Sequence, residues 1–328
     1  MTGDNPVLVT GAAGFIGQRL AMELRRADTP VRALARPEHD VADLRVAGVE
    51  TFLGDATDGP LMARAADGCS VVYHLAAVRG TKKLPRKDYL RLNIDLLDVA
   101  AEAASAAGAR LVAASTVKVM SGWPPATPAL SVPPRPSSNY SASRAAAERR
   151  LTEHWAPKGL DFRIARIAER VAGPGAIDWR SIVCAVRDGR YRLLPRGGGV
   201  HSCDVEDVII GLQLCAGDKA RAGETYVLTA RKPAAVDRIL AAIATTLGAN
   251  LAPLRFPGGP IRFHKRLNDM TFRLVGRELP YGFTAEFYAW PNHFDVGGTV
   301  ERLGFSPRFS VTQAVTRATQ WMQREGLV

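Results

Sequence analysis

A chain of 328 residues with 47% hydrophobic and 23% charged side chains has the make-up of a folded globular protein and excludes a disordered or low-complexity one. Its 43 Lys and Arg exceed 32 Asp and Glu for a net charge of +11, but the basic residues interleave with acids and form no stripe with aromatics, so no nucleic-acid partner is expected. No apolar run nears the ~18 residues of a membrane span and no leader pattern is visible, so a soluble, cytoplasmic protein without a membrane partner is expected.

The first element is Val7-Leu8-Val9-Thr10, a short apolar strand. It runs into Gly11-Ala12-Ala13-Gly14-Phe15-Ile16-Gly17 and then a helix whose Ile16, Leu20 and Leu24 share one face. Glycine lets the backbone turn tightly and approach a ligand, and the helix N-terminus beyond offers free N–H groups and a partial positive charge. The spacing G-x-x-G-x-x-G, with a strand before and a helix after, therefore predicts a dinucleotide pyrophosphate site.

Further strands are predicted at Val31–Ala35, Val49–Leu53, Ser70–Leu75, Ala109–Ser115 and Leu160–Ile167. Helices at Gly59–Ala66, Asp88–Ala107 and Tyr140–Trp155 alternate with them, and loops are expected at Arg79–Lys87 and Pro124–Pro136. This alternation implies an α/β fold: a Rossmann-type, doubly wound parallel sheet covered on both faces. After Ile167 the rhythm breaks into a turn at Gly173-Pro174-Gly175, a helix at Ser181–Gly189, a helix from Val205 to Cys215 and a strand at Thr225–Thr229. The expected division is a dinucleotide domain of residues 1–170 plus about 200–230, and a smaller interleaved C-terminal substrate (cap) domain of about 171–199 and 231–328. Four cysteines, Cys69, Cys184, Cys203 and Cys215, lie far apart without zinc-ligand spacing, so no metal is expected and reduced thiols are.

The end of the second strand is where such a fold meets the adenosine ribose. An acid there bonds the 2′-hydroxyl, whereas an arginine accommodates a 2′-phosphate. Ala35 stands in the acid's place and Arg36 follows, which points to NADP, with NAD as the alternative; Arg32 points to the other side of the strand. Farther on, Tyr140 and Arg144 lie at i and i+4 on one helical face. A phenol titrates near ~10 and needs a neighbouring cation to work as an acid or base near neutrality. Thr116, after the fifth strand, offers a hydroxyl to hold a substrate oxygen.

The chain resembles the extended short-chain dehydrogenase/reductases of the epimerase/dehydratase type. The carriers are TGAAGFIG in the first turn, GDATD at Gly54–Asp58, HLAA at His74–Ala77, Asn93, AAST at Ala113–Thr116, YSASR at Tyr140–Arg144, AGPG at Ala172–Gly175 and CDVEDV at Cys203–Val208. The resemblance implies a cofactor held by Gly11, Ala13, Gly14, Phe15, Ile16, Gly17 and Arg36, by Asp55 and Ala56 at the adenine, and by Leu75, Ala76, Ala77, Tyr140 and Arg144. It implies Tyr140 as acid/base, Thr116 as the residue orienting substrate, Asn93 as an auxiliary catalytic residue and a homodimer through the helices at Asp88–Ala107 and Tyr140–Trp155. The segments VRALARPEHD and GVETFLGDATD are most similar to the dihydroflavonol reductase and 3β-hydroxysteroid dehydrogenase branch.

Two departures stand out. The family's tyrosine motif ends in lysine, and here Arg144 takes that place with a bulkier, planar fork. Val117 and Lys118 stand where sugar dehydratases carry acids, which speaks against dehydration; Lys118 is expected either to meet an anionic group on the substrate and assist Tyr140, or to be a solvated loop lysine. The asparagine before the G-P-G turn and the arginine before the V-D-D segment that mark nucleotide-sugar enzymes are also absent. The leading expectation is an NAD(P)-dependent oxidoreductase interconverting a secondary alcohol and a ketone on a small or medium organic molecule. A nucleotide-sugar epimerase is the second, and a dinucleotide-binding regulatory protein that has lost catalysis is the third.

Overall fold

The computed structural model describes residues 5–79, 84–121, 123, 133–281, 287–288 and 291–328. Residues 80–83 of the expected loop Arg79–Lys87, and 122 and 124–132 around the expected loop Pro124–Pro136, lie outside that set. The chain forms two compact units. The first holds Met1–Thr116, Asn139–Arg166 and Ile209–Tyr226; the second holds Val117–Ser138, Ile167–Val208 and Val227–Val328.

The first unit alternates strand and helix as the periodicity requires: β1 (Val7–Thr10), α1 (Phe15–Arg26), β2 (Val31–Ala35), α2 (Ala42–Val46), β3 (Glu50–Leu53), α3 (Gly59–Ala66) and β4 (Val71–His74). It continues with α4 (Arg86–Ala106), β5 (Arg110–Thr116), α5 (Asn139–Arg150) and β6 (Phe162–Ile167). The seven-stranded sheet runs β11-β6-β5-β4-β1-β2-β3, where β11 is Thr225–Leu228. Strand β1 pairs in parallel with β2 and with β4, Thr10 standing level with Leu34 on one side and His74 on the other. The order in which successive strands are added reverses at β1 and β4, from which the chain builds outward to either side. Ligands of open α/β sheets bind outside the carboxyl ends of the strands at such a crevice.

The core between sheet and helices is built from Leu8, Leu34, Val72, Leu111 and Ile164 on the strands and Met62, Leu97, Ala101 and Leu151 on the covering segments. The alanines of α4 that suit close helix packing are occupied within the chain: Ala100, Ala101 and Ala104 are fully buried in that cluster. Helix α5 gives way at Arg150 to a π-turn, Leu151–Trp155. The change has a local cause. Arg150 Nε donates to both carboxylate oxygens of Asp98 at 3.0 Å and Trp155 Nε1 donates to Asp98 Oδ1 at 2.7 Å, so one acid of α4 gathers two side chains from this stretch.

The second unit contains β7 (Val171–Ala172), α6 (Arg180–Arg187), β8 (Leu193–Pro195), β9 (Gly199–Val200) and β10 (Cys203–Asp204), and helix α7 (Val205–Ala216) begins in it. Past β11 come β12 (Ala234–Ala235), α8 (Val236–Leu247), β13 (Leu254–Phe256), α9 (Gly259–Val275), α10 (Gly297–Leu303) and α11 (Val311–Arg324). The CDVEDV stretch is a structural knot. Asp207 accepts the backbone N–H groups of Arg308 and Phe309 at 3.0 Å, and Arg317 pairs with Asp204 at 3.0 Å and with Glu206 at 2.5 Å. Burial pushes the Asp204 carboxyl up to about 6.

Candidate active site

The glycine turn is shaped as a cradle. Gly11 has φ +67°, which L side chains rarely adopt, and a Cβ there would lie 2.9 Å from the Ala76 nitrogen. A Cβ on Gly17 would stand 2.3 Å from the Gly11 carbonyl oxygen, so only hydrogen lets α1 start this close under β1. Helix α1 has no side-chain cap at Gly14 and no acid in its first turn. Its leading N–H groups are thus unclaimed by capping side chains and its positive end is not neutralised by a carboxylate, which suits a pyrophosphate. Ala13, Gly14, Phe15 and Ile16 form this rim, and Leu75, Ala76 and Ala77, directly after β4, are half-buried across the crevice from it.

Thr10 locks the two edges together. Its Oγ1 accepts the Ala76 N–H at 3.2 Å and sits 3.1 Å from His74 Nδ1. Nε2 finds no partner among the described residues. Complete burial, and secondarily the positive charge of Arg144, hold this ring neutral, its pKa lowered to about 3. Above the unfolded value near 6.5 both states are neutral; below it the unfolded chain takes up a proton that the native ring refuses. Native stability is therefore full above pH ~6.5 and falls by up to about 1.4 kcal/mol per pH unit from this residue as pH drops toward 3. Urea unfolding at pH 7, 6 and 5 is expected to show a shallower acid loss for His74→Asn than for the parent chain.

Arg36 and Asp55 stand at the ends of β2 and β3. Arg36 is exposed, 3.2 Å from Glu38 and 3.1 Å from His39 Nε2. Asp55 accepts the Thr57 hydroxyl and backbone N–H at 2.6 and 2.8 Å, and these bonds hold its carboxyl below the usual range; half-buried Ala56 lies between them in sequence. Arg32 is committed elsewhere, to Glu50 at 2.9 Å and to the Asp67 carbonyl.

Helix α5 carries Tyr140 in its first turn, half-buried, with Arg144 one turn on. Arg144 is 5% exposed, yet it makes no ion pair or hydrogen bond among the described residues. One further turn along the same face is Glu148, where an i, i+4 pair with Arg144 would be ordinary. That pair does not form, because Glu148 is already claimed. Arg166 of β6 donates to its two oxygens at 3.1 and 2.7 Å, and Ser115 of β5 donates at 2.5 Å. All three residues of this cluster are buried. The Glu148–Arg166 link thus leaves the Arg144 guanidinium without an acid partner among the described residues, so that a cofactor or substrate oxygen would pair with it.

Asn93 of α4 is fully buried and fully engaged. Its Oδ1 accepts the Val78 N–H at 2.9 Å and its Nδ2 donates to Ser143 Oγ at 2.8 Å, which in turn donates to the Tyr140 carbonyl at 2.7 Å. Thr116 ends β5, buried, with its neighbour Ser115 tied to α5. Lys118, in the 3₁₀ turn Val117–Met120 of the second unit, is not a solvated lysine: it is buried and pairs with Glu169 at 3.4 Å. Sequence reasoning passed over Glu148 and Ser115. The available signal was one acid on the Tyr140–Arg144 helical face, within a run of alanines.

A model of the NAD dependent epimerase/dehydratase family matches residues 7–227, and the chain belongs to that family. Among curated proteins it is 26% identical over 274 residues to 4-hydroxy-2-methyl-3-oxo-4-farnesyl-3,4-dihydroquinoline-1-oxide ketoreductase of Stigmatella aurantiaca, covering 81% of this chain and 80% of that one. It is 23% identical over 333 residues to 2-alkyl-3-oxoalkanoate reductase of Shewanella oneidensis, covering 94% and 84%. Among solved structures, that of MoeE5 in complex with UDP-glucuronic acid and NAD matches with a TM-score of 0.75 and 26% identity, covering 98% of this chain and all of that one.

Proposed function

We propose that this chain is a nicotinamide-dinucleotide-dependent reductase, using NADP(H), that interconverts a ketone and a secondary alcohol on an organic substrate. The observation that carries the reading is the buried Arg144, without an acid partner among the described residues, one turn from Tyr140 on the helix that the Asn93–Ser143 chain ties to the segment after β4. The names of the two curated relatives, both reducing an oxo group on a molecule bearing an alkyl or farnesyl chain, support the direction and the substrate type.

The Gly11–Gly17 cradle and the start of α1 would hold the pyrophosphate, Ala76 and Ala77 would line the dinucleotide, and Arg144 would bond the nicotinamide ribose. When bound, the cofactor supplies a hydride to the carbonyl carbon. Thr116 holds the substrate oxygen, and Tyr140 gives it the proton, so that the ketone becomes an alcohol. The Tyr140 oxygen then recovers its proton from solvent. Asn93 serves by positioning: its amide fixes Tyr140's helix rather than touching substrate. Lys118 is neutralised by Glu169 and takes no part in the proton transfer.

For cofactor choice the reading rests on Arg36. Its pairing with Glu38 is a surface contact worth about 0–1 kcal/mol, readily exchanged for a dianionic 2′-phosphate. Fluorescence titration is expected to give tighter binding of NADPH than NADH. Arg36→Ala is expected to weaken NADPH by about ten- to hundredfold while leaving NADH unchanged. Equal NADH and NADPH affinities in the parent chain would overturn the assignment.

The likeness to the MoeE5 complex with UDP-glucuronic acid supports a second reading, epimerisation of a nucleotide sugar. The two differ in cofactor consumption. A reductase oxidises one NADPH per turnover, whereas an epimerase returns the hydride and consumes none.

A further inference from the structure

Helix α9 is built inside out. Its inward face is mostly polar, with Phe272 as the one buried aromatic: Lys265, fully buried, donates to both oxygens of Asp269 at 2.7 and 2.6 Å and to the Ser121 carbonyl at 3.4 Å. Asn268 beside them donates to the Ser137 carbonyl at 3.3 Å and accepts the Leu279 N–H at 2.8 Å. On the opposite side Phe263, Leu267, Met270 and Leu274 follow at i, i+4, i+7 and i+11, one stripe along the helix. Phe263 is 68% and Leu274 76% exposed. A surface helix normally buries its apolar stripe and shows its polar one; α9 does the reverse.

The stripe does not stand alone. Arg262 Nη1 donates to the Arg196 carbonyl at 3.0 Å, which sets the first turn of α9 against the end of β8. There Leu193 of β8 stands level with Leu254 of β13, and both are exposed. Seven of the ten exposed large apolar side chains among the described residues fall in this one region, between β8 and Tyr281. The charges around it are mostly positive: of the acids, Asp237 pairs with Arg255 of β13 at 3.4 Å, and Glu278 is exposed past the end of α9. Arg192, Arg196 and Arg266 are exposed and pair with no carboxylate among the described residues, and the one acid of α9, Asp269, is turned inward onto Lys265.

We propose that α9 and the adjoining β8–β13 pair form the face by which this chain rests on an anionic phospholipid bilayer. An apolar stripe edged by unpaired arginines is complementary to such a surface: the side chains enter the acyl boundary while the guanidinium groups stay with the phosphates. A second copy of the chain fits less well, because a two-fold contact sets the patch against itself and brings its arginines face to face. The attachment is peripheral, since no helix among the described residues is long and apolar enough to cross a membrane. The bilayer contact does not rest on the reductase reading.

Co-sedimentation of the full chain with vesicles of phosphatidylcholine alone, and of phosphatidylcholine with phosphatidylglycerol, tests the contact without any turnover. Binding is expected only with phosphatidylglycerol present, and is expected to weaken as salt is added. Arg192→Ala, Arg196→Ala and Arg266→Ala are each expected to lower it about fivefold. The pair Met270→Glu and Leu274→Glu is expected to abolish it while NADPH affinity and Tm stay unchanged. The proposal is overturned if phosphatidylglycerol vesicles fail to bind the chain at low salt, or if the paired substitution leaves binding intact. A dimer that Leu274→Glu dissociates would overturn it as well, by showing a second copy on this face.

Discussion

Tyr140→Phe is expected to lower kcat for ketone reduction by about 10²–10⁴-fold while the affinity for NADPH stays within about twofold of the parent chain. The substitution removes the hydroxyl and nothing else. Tyr140 is joined to the scaffold through its carbonyl, which accepts from Ser143, so the helix start should not move. Loss of kcat and NADPH affinity together would instead mean that the ring is part of the cofactor site and not the proton source. No change in kcat in an assay where the parent chain is active would remove Tyr140 from the chemistry altogether. Steady-state kinetics combined with fluorescence titration separates these outcomes.

The second large effect is expected on stability. Arg166→Leu strips Glu148 of its buried counter-ion and should cost about 3–5 kcal/mol in urea unfolding, because a carboxylate 5% exposed is left, among the described residues, with the Ser115 hydroxyl as its one donor. The double variant Glu148→Leu with Arg166→Leu is expected to recover most of the loss, since two leucines bury without desolvating a charge. The same pair of variants reads out Arg144. In the single variant Glu148 is free to turn one helical turn back onto Arg144, and NADPH affinity should fall. In the double variant there is no acid to turn, and affinity should return. A purely structural role for the cluster would give equal affinity in both.

Much of this architecture was legible in the residues, for definite physical reasons. The first turn could be read because glycines at fixed spacing between a strand and a helix, Gly11 and Gly17 above all, meet a requirement no other residue satisfies, as the 2.3 Å approach over Gly17 makes concrete. The strand-helix alternation through Ile167 could be read because a parallel sheet needs a crossover between strands. Tyr140 with Arg144 was visible as an i, i+4 pair. Other features depend on contacts between residues far apart in the chain. Nothing local announces that Glu148 is taken by Arg166, that Lys118 is buried against Glu169, or that Asp98 draws Arg150 and Trp155 into a π-turn. Helix α9 was obscured for a different reason: its periodicity is that of any amphipathic helix, and only its placement reveals that the apolar side is the one turned out.

The hydrogen-bonded chain from Val78 through Asn93 and Ser143 to Tyr140 has a mechanical consequence. Two side chains and a carbonyl couple the segment after β4 to the start of α5, and the Ser115–Glu148 bond couples the end of β5 to the same helix. The segment after β4, the end of β5 and the start of α5 are thereby fastened to one another by side chains as well as by the sheet. On the reductase reading, a substrate would have to fit itself to that fastened geometry.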